Sequence, residues 1–384
     1  MTSAHLPVLQ VIMPLIAAPL CALLQRTAAS WIIAVATALS TLLISIALLN
    51  QVLAAGALSY AMGGWPPPWG IEYRIDLVNA YILLIVSASG ALVAVFARPV
   101  VERRMRLRPE QHGQFYALYL LCLTGLLGMT ITGDAFNLFV FLEISSLSSY
   151  VLISLGRDRR GLTAAYQYLI MGTIGATFFL IGIGLLYVMT GTLNMTDLAE
   201  RLPAVADTRT VRAAFAFLTV GVSLKLALFP LHLWLPNAYA YSPSVVAAFL
   251  AATATKVAVY VLLRIFFTIF GARFSFDVME LEYILLPLAL IGAVSMSIVA
   301  IFQVNVKRML AYSSVAQIGY IILGISLVSE SGLTGGIVHL FNHALIKVTL
   351  FMALGCISYR VGAVHIDRLA GLGRAMPWGP WRRL

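Results

Sequence analysis

The sequence predicts an all-α polytopic membrane protein of about eleven transmembrane helices, and three observations carry that reading. Hydrophobic residues make up 61% of the chain, charged residues only 10%, and the mean hydropathy is +0.95. No soluble domain of this length has that balance. Apolar runs long enough to cross a bilayer, which takes about 20 residues as a helix, fall at about 8–24, 31–53, 76–97, 115–131, 134–155, 164–190, 211–240, 244–270, 283–303, 310–329 and 333–358. Basic residues alternate between successive loops, as the positive-inside rule requires.

The first run has no basic segment before it and a poor cleavage site in Ala-Pro-Leu-Cys, so it is expected to be a retained span. The loop "GGWPPPWG" offers Trp65 and Trp69 as interfacial anchors. The fourth and fifth runs are separated only by "TGD". The seventh is too long and contains Pro230 and Pro236, which predicts two half-helices broken near "ALFPLHLWLP". Residues 194–209 predict a short amphipathic helix capped by Asn194 or Thr196.

With the N-terminus outside, the inner segments hold sixteen Lys and Arg and the outer ones five, while ten of the fifteen acids lie outside. The inner set comprises Arg26, Arg98, Arg103, Arg104, Arg106, Arg108, Arg157, Arg159, Arg160, Lys307, Arg308, Arg360, Arg368, Arg374, Arg382 and Arg383. The C-terminus is then inside, and the location expected is the bacterial cytoplasmic membrane. The net charge of +10 is therefore topological and no nucleic-acid partner is expected. Cys21, Cys122 and Cys356 are far apart in apolar runs, giving neither a metal site nor a disulfide framework, and they read as small buried hydrophobes. No phosphate loop or haem-attachment motif is present, so no cofactor, metal or active-site chemistry of the chain's own is expected.

Against this apolar background Glu143 stands in the middle of "NLFVFLEISSLSSYVLI". A charge near the bilayer centre costs about 2.5–3.5 kcal/mol on insertion scales, so it faces a cavity or a partner. The basic residues sharpen the point. Of twenty-one arginines and four lysines, three lysines, Lys225, Lys256 and Lys347, lie near the middle of spans, and only Lys307 falls in a loop. Arginine stays protonated, whereas a buried lysine can release its proton. His339, His343 and Lys347 recur every four residues and share one helix face. His232 follows Pro230 at the predicted break, and Ser145, Ser146, Ser148 and Ser149 flank Glu143 as groups to hydrate it. A single Glu–Lys pair could be structural glue, but four mid-membrane charges cost about 10–14 kcal/mol together and glue does not need lysine three times.

These residues resemble the antiporter-like family shared by Mrp-type multisubunit cation/proton antiporters and the proton-pumping arm of respiratory complex I. "TGDAFNLFVFLEISSLSSYVLI" is similar to the family's glutamate helix, and "LKLALFPLHLWLPNAYAYSPSVVAAFLAATATKVAVYVLLR" to its broken and following lysine helices. "VKRMLAYSSVAQIGY" and "HLFNHALIKVTLF" resemble the segment after. The "TGDAFNLFVFLE" wording is closer to the D-type subunit of the Mrp branch.

The resemblance implies a proton path of Glu143 paired with Lys225, Lys256 as central relay, then His339, His343 and Lys347; the residues themselves add Pro230, His232, Ser146 and Ser149 as accessories. It implies one integral membrane domain over 1–384, with N-terminal helices in 1–114, a first five-helix repeat in 115–270 and part of an inverted second repeat in 283–384. Family members continue for about three more helices, so the second repeat is expected to be incomplete at "GLGRAMPWGPWRRL". The expected partners are other integral membrane subunits, protons, Na⁺ or K⁺, and the lipid bilayer. The alternatives are a redox-driven arm subunit of a complex I or membrane hydrogenase, and a truncated, non-conducting assembly subunit.

Overall fold

The computed structural model describes residues 2–24, 27–105, 107–108, 111–156, 158–362 and 364–372. Arg26, Arg106, Arg157, Arg374, Arg382 and Arg383, and with them most of the "GLGRAMPWGPWRRL" segment, lie outside the described residues. Among the described residues, ten helices are long and apolar enough to cross a membrane. They are α1 (Leu6–Leu23), α2 (Thr27–Ala55), α3 (Leu77–Arg104), α4 (His112–Ile131), α5 (Ala135–Ser154), α6 (Arg160–Thr190), α10 (Ser244–Leu263, continued as a π-helix to Ile269), α11 (Glu282–Ile301), α12 (Val306–Ser326) and α13 (Glu330–Val361). The predicted amphipathic piece is α7 (Met195–Arg201), and Asn194 caps it by accepting from Thr196 and Asp197 N–H groups.

The remaining apolar run, the seventh, is the broken one. It forms α8 (Arg209–Leu226) and α9 (Trp234–Tyr241), joined by a turn. Two prolines predicted the break, but only Pro230 lies in it. Pro236 is the third residue of α9, where an N–H has no helical acceptor in any case, so its ring is tolerated. The reversal itself is made at Ala227, in the left-handed region at φ 61°. That conformation costs an alanine roughly 1–2 kcal/mol.

α10 is the central helix. Every residue of it except Ala254 is buried, and it packs against α3, α4, α5, α8, α9, α12 and α13. An all-round apolar helix belongs in such a position. α8 is brought unusually close to α6 by glycine: a Cβ at Gly221 would stand 2.7 Å from the Gly175 carbonyl oxygen. Small residues let membrane helices approach in this way, and the approach fixes the depth of Lys225 one turn further along α8.

The loop carrying Trp65 and Trp69 is the tip of an antiparallel hairpin, β1 (Leu58–Ala61) with β2 (Glu72–Ile75), registered Leu58 to Ile75. Its buried Glu72 accepts from Ser59 Oγ at 2.5 Å and Asn194 Nδ2 at 2.8 Å, fastening the hairpin to the start of α7. Next to it Asp76 caps α3 in a reciprocal capping box with Asn79 and ion-pairs with Arg264 at 2.7 Å. Losing an N-cap costs about 0.5–2 kcal/mol, and a charged hydrogen bond adds about 1.5–3. Asp76→Ala is therefore expected to lower the melting temperature of the purified assembly, and by more than Asp76→Asn, which keeps the cap.

Candidate functional site

The titratable residues singled out in the sequence fall into two clusters on either side of α10. The first is built by α5 and α8. Lys225 is buried, and its Nζ donates to Ser146 Oγ and, at 3.4 Å, to the Tyr150 hydroxyl. The ammonium also stands 5.5 Å from the Tyr150 ring centre and 5.4 Å from that of Tyr168. Aromatic faces stabilise a desolvated cation by about 2 kcal/mol. Glu143 is within electrostatic reach of Lys225, yet no carboxylate oxygen lies within the 4 Å of an ion pair among the described residues. One of its oxygens is buried without a hydrogen-bond partner.

The serines do not solvate Glu143. Their hydroxyls donate to carbonyls of their own helix: Ser145 and Ser146 to Leu142, Ser148 to Ile144, and Ser149 to Ser145. A hydroxyl has one proton, and in a helix the carbonyl one turn back is the nearest acceptor. Ser146 then offers its lone pair to Lys225, while Ser149 lies 3.3 Å from Cys122 Sγ. Cys122 therefore makes polar contacts as well as filling space.

The second cluster joins α10, α12 and α13. Lys256 and Lys347 are each 1% exposed. Lys256 Nζ donates to the Ala251 carbonyl at 2.5 Å and lies 3.4 Å from Thr255 Oγ1. Lys347 Nζ donates to the Leu310 carbonyl at 2.9 Å and Ser313 Oγ at 3.1 Å. The rings of His339 and His343 lie nearly parallel, 6.2 Å apart and 7° from coplanar orientation. His339 Nε2 is 2.6 Å from Gln317 Oε1, whereas both ring nitrogens of His343 are buried without partners among the described residues. Lys256 interacts electrostatically with Lys347, His339 and His343. These four groups face no carboxylate in an ion pair among the described residues. Like charges at this depth repel strongly.

Beside the first cluster lies a cavity of about 30 Å³ lined by Ser145, Tyr168, Lys225, Ala254 and Ala258, among others. That is room for about one water molecule or slightly more. Ala254 and Ala258, two residues before and after Lys256, lie on the opposite face of α10 from it, so the cavity reaches from the first lysine to the helix that carries the second, and not to the Lys256 side chain. His232 lies apart in the α8–α9 turn beside Pro230: its ring stacks on Phe229 at 5.5 Å, and Nδ1 is buried without a partner.

Sequence reasoning missed Tyr150, Tyr168, Ser313 and Gln317. Tyr150 was findable, because Glu143, Ser146 and Tyr150 are spaced three and four apart on one face. So were Ser313 and Gln317, four apart in "AYSSVAQ". Tyr168 comes from a different helix, and nothing in its own segment marks it. Lys307 was misplaced: it is 7% exposed, in the first turn of α12, with Nζ donating to the Ser242 carbonyl at 3.0 Å. Hydropathy puts it in a loop, but the carbonyls left free at the end of α9 draw it inward.

Comparison with known proteins agrees with this architecture. The chain is 44% identical over 378 residues to the N-type subunit of the NADH-quinone oxidoreductase of Desulforudis audaxviator, covering 98% of this chain and 74% of that protein. It is 30% identical over 343 residues to the D-type subunit of the Na(+)/H(+) antiporter of Alkalihalophilus pseudofirmus, covering 88% and 67%. Among solved structures, an archaeal membrane-bound sulfane sulfur reductase complex has a chain that superposes with a TM-score of 0.89 at 33% identity, covering 97% of this chain and 75% of that one. The Mrp complex of Dietzia sp. DQ12-45-1b gives 0.87 at 29%, covering 97% and 68%. The transmembrane family of NADH:quinone oxidoreductases and Mrp antiporters matches residues 132–380, and the chain belongs to that family.

Proposed function

We propose that this chain is the proton-translocating subunit of a multisubunit antiporter that exchanges Na⁺ or K⁺ for protons across a bacterial cytoplasmic membrane. The observation that carries the reading is the pair of titratable clusters in the membrane-spanning helices, with a water-sized cavity from Lys225 to α10, the helix that carries Lys256. In the first cluster Glu143 and Lys225 stand apart, with Lys225 held by Ser146 and Tyr150. When the carboxylate approaches, it stabilises the protonated lysine; when it withdraws, desolvation favours release. The released proton crosses the cavity to α10 and passes round that helix to Lys256. Repulsion among Lys256, His339, His343 and Lys347 then passes it onward along α13.

The asymmetry of the basic residues supports an N-terminus outside and a C-terminus inside. We place the first repeat at 115–270 and a partial second repeat at 283–384, assembled with other integral membrane subunits. A second reading is favoured by the 44% identity to a protein named as an oxidoreductase subunit and by the sulfane sulfur reductase structure. In that reading the same path is driven by electron transfer in a partner rather than by a cation gradient.

Everted vesicles carrying the native gene cluster separate the two. Antiport predicts that adding Na⁺ or K⁺ collapses a preformed pH gradient, and that deleting this chain removes the response. A gradient indifferent to both cations, but generated by an electron donor in a manner that depends on this chain, replaces the first reading by the second.

A further inference from the structure

A second, much larger cavity lies outside the path described above. It measures about 320 Å³ and opens at the face carrying the arginine-rich loops, between the ends of α3, α5, α9 and α13 and the beginnings of α10 and α12. Its polar lining includes Asp158, Arg160, Ser242, Lys307, Ser358 and His365. At roughly 30 Å³ per molecule this is room for about ten waters.

Of the charged groups here, two satisfy each other. Arg160 ion-pairs with Asp158 at 2.6 Å and lies over the Tyr241 ring at 4.5 Å. That guanidinium holds the Asp158 carboxyl below the usual carboxylate range, so it stays ionised. Lys307 is different. It is buried, lines the cavity and has, among the described residues, one hydrogen-bond acceptor, the Ser242 carbonyl, for an ammonium with three N–H donors. It also stands directly below the second cluster. Lys347 donates to the carbonyl of Leu310, three residues beyond Lys307 on α12, a rise of about 4.5 Å. Ser313 and Ser314 continue the same stretch, and Ser313 accepts from Lys347. All four lysines of this chain are thus buried, and Lys307 lines the surface cavity about one helical turn along α12 from the carbonyl that Lys347 uses.

We propose that this cavity is the inner-face outlet of the proton path and that Lys307 is the titrating relay to it from Lys347. This rests on the function proposed above and on its orientation. The protonated amine of Lys347 gives one proton, through Ser313 or an intervening water, to the neutral amine of Lys307. Protonated Lys307 then gives that proton to a water in the cavity, leaving hydronium and the neutral amine. The competing role is a static one: a permanent cation tying off the C-terminal carbonyl of α9.

Arginine separates the two roles, because it keeps the charge and the donor but does not release a proton. In everted vesicles carrying the whole gene cluster, Lys307→Arg is expected to insert at wild-type level and lose at least about tenfold in exchange rate. Lys307→His, which titrates, is expected to regain part of it with a shifted pH profile. Wild-type exchange by Lys307→Arg overturns the relay.

A second measurement leaves position 307 intact. Ser358→Cys, in a chain whose three native cysteines are replaced by serine or alanine, is expected to react with a membrane-impermeant thiol reagent from the inner side only, and exchange is expected to stop on reaction. Full exchange after complete modification also overturns the proposal. Lys225→Ala run in parallel distinguishes the levels of failure. If it too leaves exchange intact, the proton-path reading itself falls; if it abolishes exchange while Lys307→Arg does not, only the outlet falls.

Discussion

Replacing Lys256 by methionine is expected to abolish transport and to raise the melting temperature of the purified complex at the same time. Lys256 is 1% exposed, in the most buried of the long helices, and among the described residues its ammonium has only Ala251 O and Thr255 Oγ1 as partners. A lysine at the centre of a membrane helix costs about 2.5–3.5 kcal/mol on insertion scales. Methionine has similar length and no charge, and flexible enough torsions to fill the same space, so most of that cost is recovered. Transport is expected to fall at least about a hundredfold, since no titrating group then joins the cavity beside Lys225 to the histidines of α13. The opposite pattern, a destabilised complex with residual transport in proportion to the folded fraction, identifies Lys256 as packing and hydrogen-bonding material instead.

Ala258→Val is expected to block proton transfer without removing any titratable group. Ala258 lines the 30 Å³ cavity that separates Lys225 from α10. Two added carbons occupy space sized for about one water, and overpacking of a membrane core costs about 1–3 kcal/mol. Proton flux measured with an entrapped pH dye is expected to drop about tenfold or more, while expression and assembly stay near wild type. Unchanged flux means that protons do not cross at this point. Ala254→Gly is the complementary control, enlarging the same cavity and leaving flux at or above wild type.

The sequence yielded the spans because bilayer hydropathy is a one-dimensional property: helix positions follow the apolar runs to within a few residues at most ends. It yielded the cluster on α13 because His339, His343 and Lys347 belong to one helix with a period of four. What it did not yield depends on contacts between helices. Tyr168 reaches Lys225 from α6, and Gln317 reaches His339 from α12; neither pairing leaves a local mark. The break after α8 was placed correctly, but its geometry belongs to Ala227 rather than to Pro236. Alanine in the left-handed region has no sequence signal. Lys307 shows the sharpest limit, since a loop position by hydropathy is a buried cation once the end of α9 is folded against it.

The central claim is that buried, titrating lysines move protons in exchange for a cation. The measurement that meets it most directly is cation-induced dissipation of a pH gradient in everted vesicles expressing the native gene cluster, with wild type and Lys225→Ala compared at equal membrane levels. The account predicts that Na⁺ or K⁺ collapses the gradient with wild type and that Lys225→Ala abolishes the response. A gradient collapsed equally well by both contradicts it.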